Sequence, residues 1–362
     1  MRIGDMNKMK HLLLKKGIKL VCIAVEGGDC IGKGTFSKSL HSYLVSRVSK
    51  LNTDKRTFLE PILLSFPDYN EPMSGDTIKA YLKTEKVNQY ILNGFMSDNR
   101  YNVFYKLMTD LLSSDSTEHN PDVEKGCESI QLVICDRSVF SAVTYTLAKS
   151  IAHNYRVKDT KDKEEFKKIY MDYLANDLDF TLSLCNNGLD LTINTTNEFK
   201  LYDKLRKKYD ADTFDRVVGT RYNLYEVVST FNADFMEGIP TPDFLIQVNE
   251  DFSDPRSREA HKFTQDARAE ERGKDTNEKD EELQDDVTKI YYEFRNMYED
   301  MIKTTSLFDL GEKRDMFIPF GTNFGNTDYE EKVFKSLKKA SFDIVELKVK
   351  DDGGSILDDF PF

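Results

Sequence analysis

One glycine-rich stretch limits what this chain can fold into more than any other: Gly27-Gly28-Asp29-Cys30-Ile31-Gly32-Lys33-Gly34-Thr35. It follows a continuous apolar run, Leu20 to Val25, and opens a stretch with helical character from about Lys33 to Val48. An uninterrupted apolar run is the pattern of a strand buried on both faces, as in a parallel sheet covered by helices. Between such a strand and a helix, glycines let backbone N–H groups close around a phosphate chain. The helix N-terminus adds the positive end of its dipole, and Lys33 is placed to reach the β- and γ-phosphates of a nucleotide. The strand–loop–helix context is what gives a G-x4-G-K pattern its meaning. Gly34 stands where the strict pattern has Ser or Thr, and Thr35 follows one place later.

Further apolar runs alternate with helical periodicity, which predicts an α/β fold with a five-stranded, mainly parallel sheet in three layers. Strands are expected near Phe58–Phe66, Ile130–Cys135, Phe244–Val248 and Met316–Phe320. Pro67 ends the second, because proline cannot donate to a ladder. A long helix is expected over about Val87–Leu112, where Phe104, Leu107, Met108 and Leu111 recur at helical spacing. A polar loop should cover Ser113–Cys127, and a closing helix Tyr329–Ala340.

The boundaries that follow are a core of residues 19–150 and 238–340, an N-terminal extension 1–18 and an acidic tail 341–362. Residues 151–237 read as a large inserted subdomain between the third and fourth strands. Phe166, Ile169, Tyr170, Tyr173 and Leu174 form an amphipathic stripe there. Leu182/Leu184 and Leu189/Leu191/Ile193 alternate around Asn186-Asn187-Gly188 as a hairpin would.

Composition narrows the class of partner. With 51 basic and 63 acidic residues the net charge is −12, which argues against a binder of nucleic-acid backbone. A few local donors still suffice for a small anionic ligand. There is no apolar window long enough for a membrane span. The five cysteines are scattered without metal-ligand spacing, which fits a reducing, cytoplasmic setting. The Leu12-Leu13-Leu14 run is too short for a signal peptide.

Four other clusters carry candidate chemistry. The third strand ends in Asp136-Arg137: an aspartate there can reach Mg²⁺ or its waters, and an arginine can hold phosphate oxygens in a fork. Ser141 and Tyr145 follow, four residues apart on one helix face. Phe66-Pro67-Asp68-Tyr69 and Ser74-Gly75 lie at the carboxyl end of the second strand, where open α/β sheets bind ligands and Phe66 could wall a base. Met96-Ser97-Asp98-Asn99-Arg100-Tyr101 sits on the long helix. Arg268, Arg272 and Lys274 lie in a highly charged stretch that reads as a lid, able to bring guanidinium groups onto a transferring phosphoryl group.

In this order the pieces resemble the thymidylate kinase family of P-loop nucleoside monophosphate kinases. The matching segments are Glu26-Gly27-Gly28-Asp29 for E-G-x-D, Phe66-Pro67, Ser74-Gly75-Asp76-Thr77-Ile78 and Asn99-Arg100. Asp136-Arg137-Ser138 with Ser141 and Tyr145 stands for the D-R-Y-x-x-S-x-x-A-Y-Q signature, Pro242-Asp243 for P-D, and Arg272-Gly273-Lys274 for the R-G-K lid. The chain departs from the family at Tyr69, Met96, Ser138 and Thr146.

The resemblance implies a P-loop NTPase fold and Mg²⁺-dependent transfer of the ATP γ-phosphoryl group to dTMP, in a homodimer that serves nucleotide biosynthesis. It implies Gly27, Gly32, Lys33, Gly34 and Thr35 around the ATP phosphates, with Thr35 and Asp136 toward the metal. Asp29 would bind the sugar hydroxyl, Phe66 wall the pocket and Arg100 meet the thymine edge. Arg137 would hold the acceptor phosphate, with Ser141 beside it and Tyr145 against the sugar. Cys30 stands where some members carry a catalytic arginine, so by resemblance Arg268 and Arg272 of the lid take that part. Three alternatives remain open: a kinase of another deoxynucleoside monophosphate, a deoxynucleoside kinase, to whose E-R-S motif Asp136-Arg137-Ser138 comes close, and a nucleotide-binding protein without catalysis.

Overall fold

The apolar run after the first helix forms β1 (Ile18–Glu26), and eight of its nine residues are buried. The computed structural model describes residues 5–83, 89–113, 128–152, 238–250, 280–293, 315–319 and 328–342, with isolated positions and short runs between 165 and 302. β1 lies between β4 (Glu128–Asp136) and β5 (Phe244–Asn249), and both pairings are parallel. β6 (Asp315–Pro319) extends the sheet beyond β5. On the other side β4 pairs with β2 (Arg56–Phe58) and β3 (Ile62–Ser65), again in parallel.

β2 and β3 occupy one strand position, so the sheet has the expected five positions with the second strand interrupted. The register gives the cause. Phe58 pairs with Ile130 and Ile62 with Val133, four residue steps on this strand against three on β4. The extra residue is a bulge at Leu59-Glu60-Pro61, where Pro61 has no N–H to give. The Gln131 carboxamide donates to the Glu60 carbonyl at 2.9 Å and satisfies it. The bulge also reverses the side-chain alternation: Phe58 faces one core, Ile62 and Leu64 the other.

Helices cover both faces. On one, α2 (Lys33–Val45) packs Phe36, Leu40 and Leu44 over the sheet beside Val333, Phe334 and Leu337 of α7 (Asp328–Lys339). Acidic residues in the first turn of α7 and lysines in its last complement the helix dipole. On the other face lie α1 (Asp5–Lys15), α4 (Gln89–Ser113), α5 (Val139–Ala152) and α6 (Glu281–Glu293). A short α3 (Gly75–Leu82) packs Ile78 and Leu82 on Leu92 of α4.

Described residues at both expected margins pack on the core. α1 buries Met6 and Leu13 against the α4 layer. Phe342 is buried edge-on against Phe58, and its carbonyl accepts from Lys19 at 2.8 Å. Of the apolar stripe in the insertion, Ile169 is helical and buried; Phe166, Tyr170, Tyr173, Leu174 and the expected hairpin lie outside the described residues. Among the described residues no helix is long and apolar enough to cross a membrane.

Candidate active site

β1 sits where the strand order reverses, since the chain leaves it toward β2 on one side and reaches β5 on the other. Ligands of open α/β sheets bind beyond the carboxyl ends of strands at such a point. Here that place is the glycine loop. Gly27 adopts φ +145°, and a Cβ on it would meet the Val248 carbonyl oxygen at 2.0 Å, so only glycine lets the loop pass β5. Gly32, at φ 99°, turns the chain into α2 without a side-chain cap. The first N–H groups of α2 are thus left for an external acceptor, and no acidic residue stands in its first turn to compete.

Lys33 is buried at the base of the loop, and its ammonium donates back to the Gly28 carbonyl. Burial and the Arg137 charge lower it to about 8, against the pull of Asp29, Asp136 and Glu26. Asp136 ends β4 beside α2: a Cβ on Gly34 would lie 3.0 Å from Asp136 Oδ2. Gly34 therefore brings backbone close to this carboxylate. Thr35 is exposed on the first turn of α2.

Arg137 leaves β4 in the left-handed region, φ 75°, and its N–H donates to the Val25 carbonyl at 3.0 Å. That conformation turns its guanidinium to Asp29, with which it forms an ion pair, and over the Tyr145 ring at 5.6 Å from the centroid. Tyr145 donates its hydroxyl to Asp29 as well, and Gln284 of α6 adds a bond to Asp29 Oδ2 at 3.2 Å. Burial by itself raises the Asp29 carboxyl, but the charges of Arg137 and Lys33 and the Tyr145 hydroxyl prevail and hold it at about 2. Burial and the Asp29 charge push the Tyr145 phenol well up.

Glu26, at the end of β1, anchors the turn behind Arg137. It is fully buried and accepts from the Ser138 N–H and hydroxyl, both at 2.6 Å, from Ser141 at 2.5 Å and from Tyr291 of α6 at 2.8 Å. Ser141 thus faces Glu26 and supports Arg137, 3.4 Å from its Nη1. His261 bridges the buried Glu250 carboxylate and the Asp29 carbonyl, the latter at 3.0 Å. It ties the chain after β5 to the glycine loop.

No family model and no curated protein matches this chain. Among solved structures it is similar to a thymidylate kinase from Candida albicans. That likeness has a TM-score of 0.44 at 16% identity and covers 90% of this chain and 97% of the other.

The structure brings Lys33, Asp136, Arg137, Asp29, Ser141 and Tyr145 into one neighbourhood. Phe66 and Arg100 line a small cavity with Phe104 and with Ser138, the residue after Arg137. Phe66 is 5% exposed and stacks on Phe104 at 5.6 Å between centroids. Arg100 is 4% exposed and paired with Asp234. Its neighbour Asn99 fixes the turn after β3, accepting from the Asp68 N–H at 2.7 Å and donating to the Asp68 carbonyl at 2.9 Å. Arg268, Arg272 and Lys274 lie outside the described residues. Sequence reasoning missed Glu26 as an anchor, and missed Asp234, His261, Gln284 and Tyr291. Only Glu26 had a local signal, as a carboxylate directly before the glycine loop.

Among the described residues no cluster of three acidic, His or Cys side chains could cage a metal. Mg²⁺ in nucleotide sites takes one or two carboxylates and completes its shell with phosphate oxygens and water. A lone Asp136 beside the loop fits that donor set.

Proposed function

We propose that this chain is a nucleoside monophosphate kinase that transfers the ATP γ-phosphoryl group to dTMP. The observation that carries the reading is the meeting of two cations, Lys33 from the glycine loop and Arg137 from the end of β4. They lie close enough for one charge to depress the ionisation of the other. Asp29 pairs with Arg137, and the uncapped N-terminus of α2 beside Lys33 is left to take the phosphate chain of a nucleotide.

In this reading Lys33 and the α2 N-terminus hold the β- and γ-phosphates. Arg137, kept in place by Asp29 and by the Glu26–Ser141 anchor, holds the acceptor phosphate. One oxygen of that phosphate bonds to the γ-phosphorus as the bond to the bridging oxygen of ADP breaks. Such transfer asks mainly for alignment and charge stabilisation. Mg²⁺, held by Asp136 and the ATP phosphate oxygens, would neutralise charge on the leaving ADP. Asp29 and Tyr145 would face the sugar, and the resemblance gives Arg268 and Arg272 the part of stabilising charge on the transferring group.

Coupled ADP release with Mg-ATP, tested against dTMP, the other deoxynucleoside monophosphates and thymidine, checks the reading. Turnover with dTMP far above the rest is expected. Turnover with another monophosphate keeps the mechanism and moves the base. Turnover with thymidine alone, or ATP binding without turnover of any acceptor, overturns it.

A further inference from the structure

Cys30 and Gly32 sit at positive φ, 59° and 99°, and Ile31 between them does not. That alternation turns successive backbone N–H groups to one side of the chain, a concavity for an anion. Its first N–H is that of Cys30, in the peptide that begins at the Asp29 carbonyl. In a trans peptide the carbonyl and the N–H point in opposite directions. A group that holds the Asp29 carbonyl on one side therefore aims the Cys30 N–H to the other.

His261 is that group. Its ring is 2% exposed, on a helical turn at 259–264, and its Nε2 donates to the Asp29 carbonyl at 3.0 Å. A carbonyl only accepts, so Nε2 carries the hydrogen. Nδ1 of the same ring meets the buried Glu250 carboxylate. Glu250 is fixed in turn at the end of β5. Its N–H donates to Asn249 Oδ1 at 2.9 Å, and the Asn249 carboxamide donates to the Thr288 carbonyl of α6 at 3.0 Å. α6 also presses on the loop, since a Cβ on Gly28 would lie 2.9 Å from Thr288 Oγ1. Contacts thus run unbroken from β5 through Glu250 and His261 to the first peptide of the concavity.

We propose that His261 is a positioning residue that presets the Asp29–Cys30 peptide, so that the Cys30 N–H faces the nucleotide's phosphates before they arrive. The inference rests on the reading of the glycine loop as the ATP phosphate site. A donor already aimed binds at less cost than one that must first be turned. Without His261 the peptide is free to rotate and to present its carbonyl to the phosphate oxygens, acceptor against acceptor. The Asp29 carboxylate is held separately, by Arg137, Tyr145 and Gln284. The loss therefore falls on nucleotide affinity.

The test is the Mg-ATP affinity of the full chain at pH 7, by calorimetry without acceptor. Substitutions at this one position separate reach from bulk. Counted in bonds from Cβ, the Gln carboxamide nitrogen stands where His Nε2 does, and the Asn nitrogen where Nδ1 does. His261→Gln keeps a donor for the Asp29 carbonyl, so Kd should stay within threefold of native. His261→Asn and His261→Ala lose that donor, and Kd should rise at least fivefold. Glu250→Ala leaves His261 in place but frees its ring, and Kd should rise at least threefold. This variant serves if those at His261 do not fold. Equal affinity in His261→Asn and His261→Gln, weakened or not, overturns the inference, because His261 would then only fill space. An unchanged Kd in Glu250→Ala overturns it too. Either result leaves the kinase reading standing, whereas native protein that does not bind Mg-ATP overturns both.

Discussion

Raising the pH should disable the glycine loop before it unfolds the protein. Lys33 falls from 10.5 to about 8 through burial and the Arg137 charge. That difference corresponds to about 3 kcal/mol against the protonated amine in the empty site. A triphosphate adds counter-charge, so ATP binding favours protonated Lys33 and raises its pKa in the complex. Affinity for Mg-ATP should be constant below about pH 7. Above pH 8 it should weaken by close to tenfold per pH unit, until the pKa of the complex is reached. The second phosphate ionisation, near 6, lies outside this window. A fluorescence or calorimetric titration between pH 6.5 and 9.5, without acceptor, measures it. Arg137→Met removes the depressing charge, while Asp29, Asp136 and Glu26 still favour the ammonium, so the alkaline limb should move up. Affinity that stays level to pH 9.5 in native protein would refute the burial argument. A limb that does not move in Arg137→Met would refute the coupling between the two cations.

Asp29 works in the opposite pH range. Its carboxyl is held at about 2 against 3.8 unperturbed, so the charged form stabilises the fold by about 2 kcal/mol above pH 4, and this is lost as the pH falls through 2. The stability gap between native protein and Asp29→Asn should therefore be full above pH 4 and shrink below it; a gap that does not depend on pH would contradict the assignment. Gly27→Ala should cost at least about 3 kcal/mol in urea unfolding, because its Cβ would overlap the Val248 carbonyl at 2.0 Å in a left-handed backbone; a loss below about 1 kcal/mol would mean that the loop does not pass so close to β5. Arg272→Ala should cut turnover at least tenfold with dTMP binding little changed, and unchanged turnover would remove the lid arginine from the reaction.

The strands, the glycine loop and the Asp136-Arg137 pair were legible in the sequence because each is written in contiguous residues. Burial on both faces leaves an unbroken apolar run, and a tight loop leaves glycines where φ is positive. The resemblance added the neighbourhood of Asp29, Tyr145 and Arg137, which the fold brings together. Other features had no local signature. The bulge at Leu59-Glu60-Pro61 depends on the register of β4 and on a carboxamide, Gln131, that lies 71 positions from Glu60. α1 carried a signal that was passed over, since Met6, Met9 and Leu13 recur at i, i+3 and i+7 and face the core, whereas Phe342 had none. The partners of the buried polar groups were the least readable: Glu26 with Tyr291, 265 positions away, Asp29 with Gln284, and Arg100 with Asp234. A buried charge must find a counter-charge or donor, and the sequence states that need. Which one it finds depends on the helix faces that pack together, so local pattern fixed the loop that would hold phosphate, and tertiary packing alone decided which side chains orient its cations.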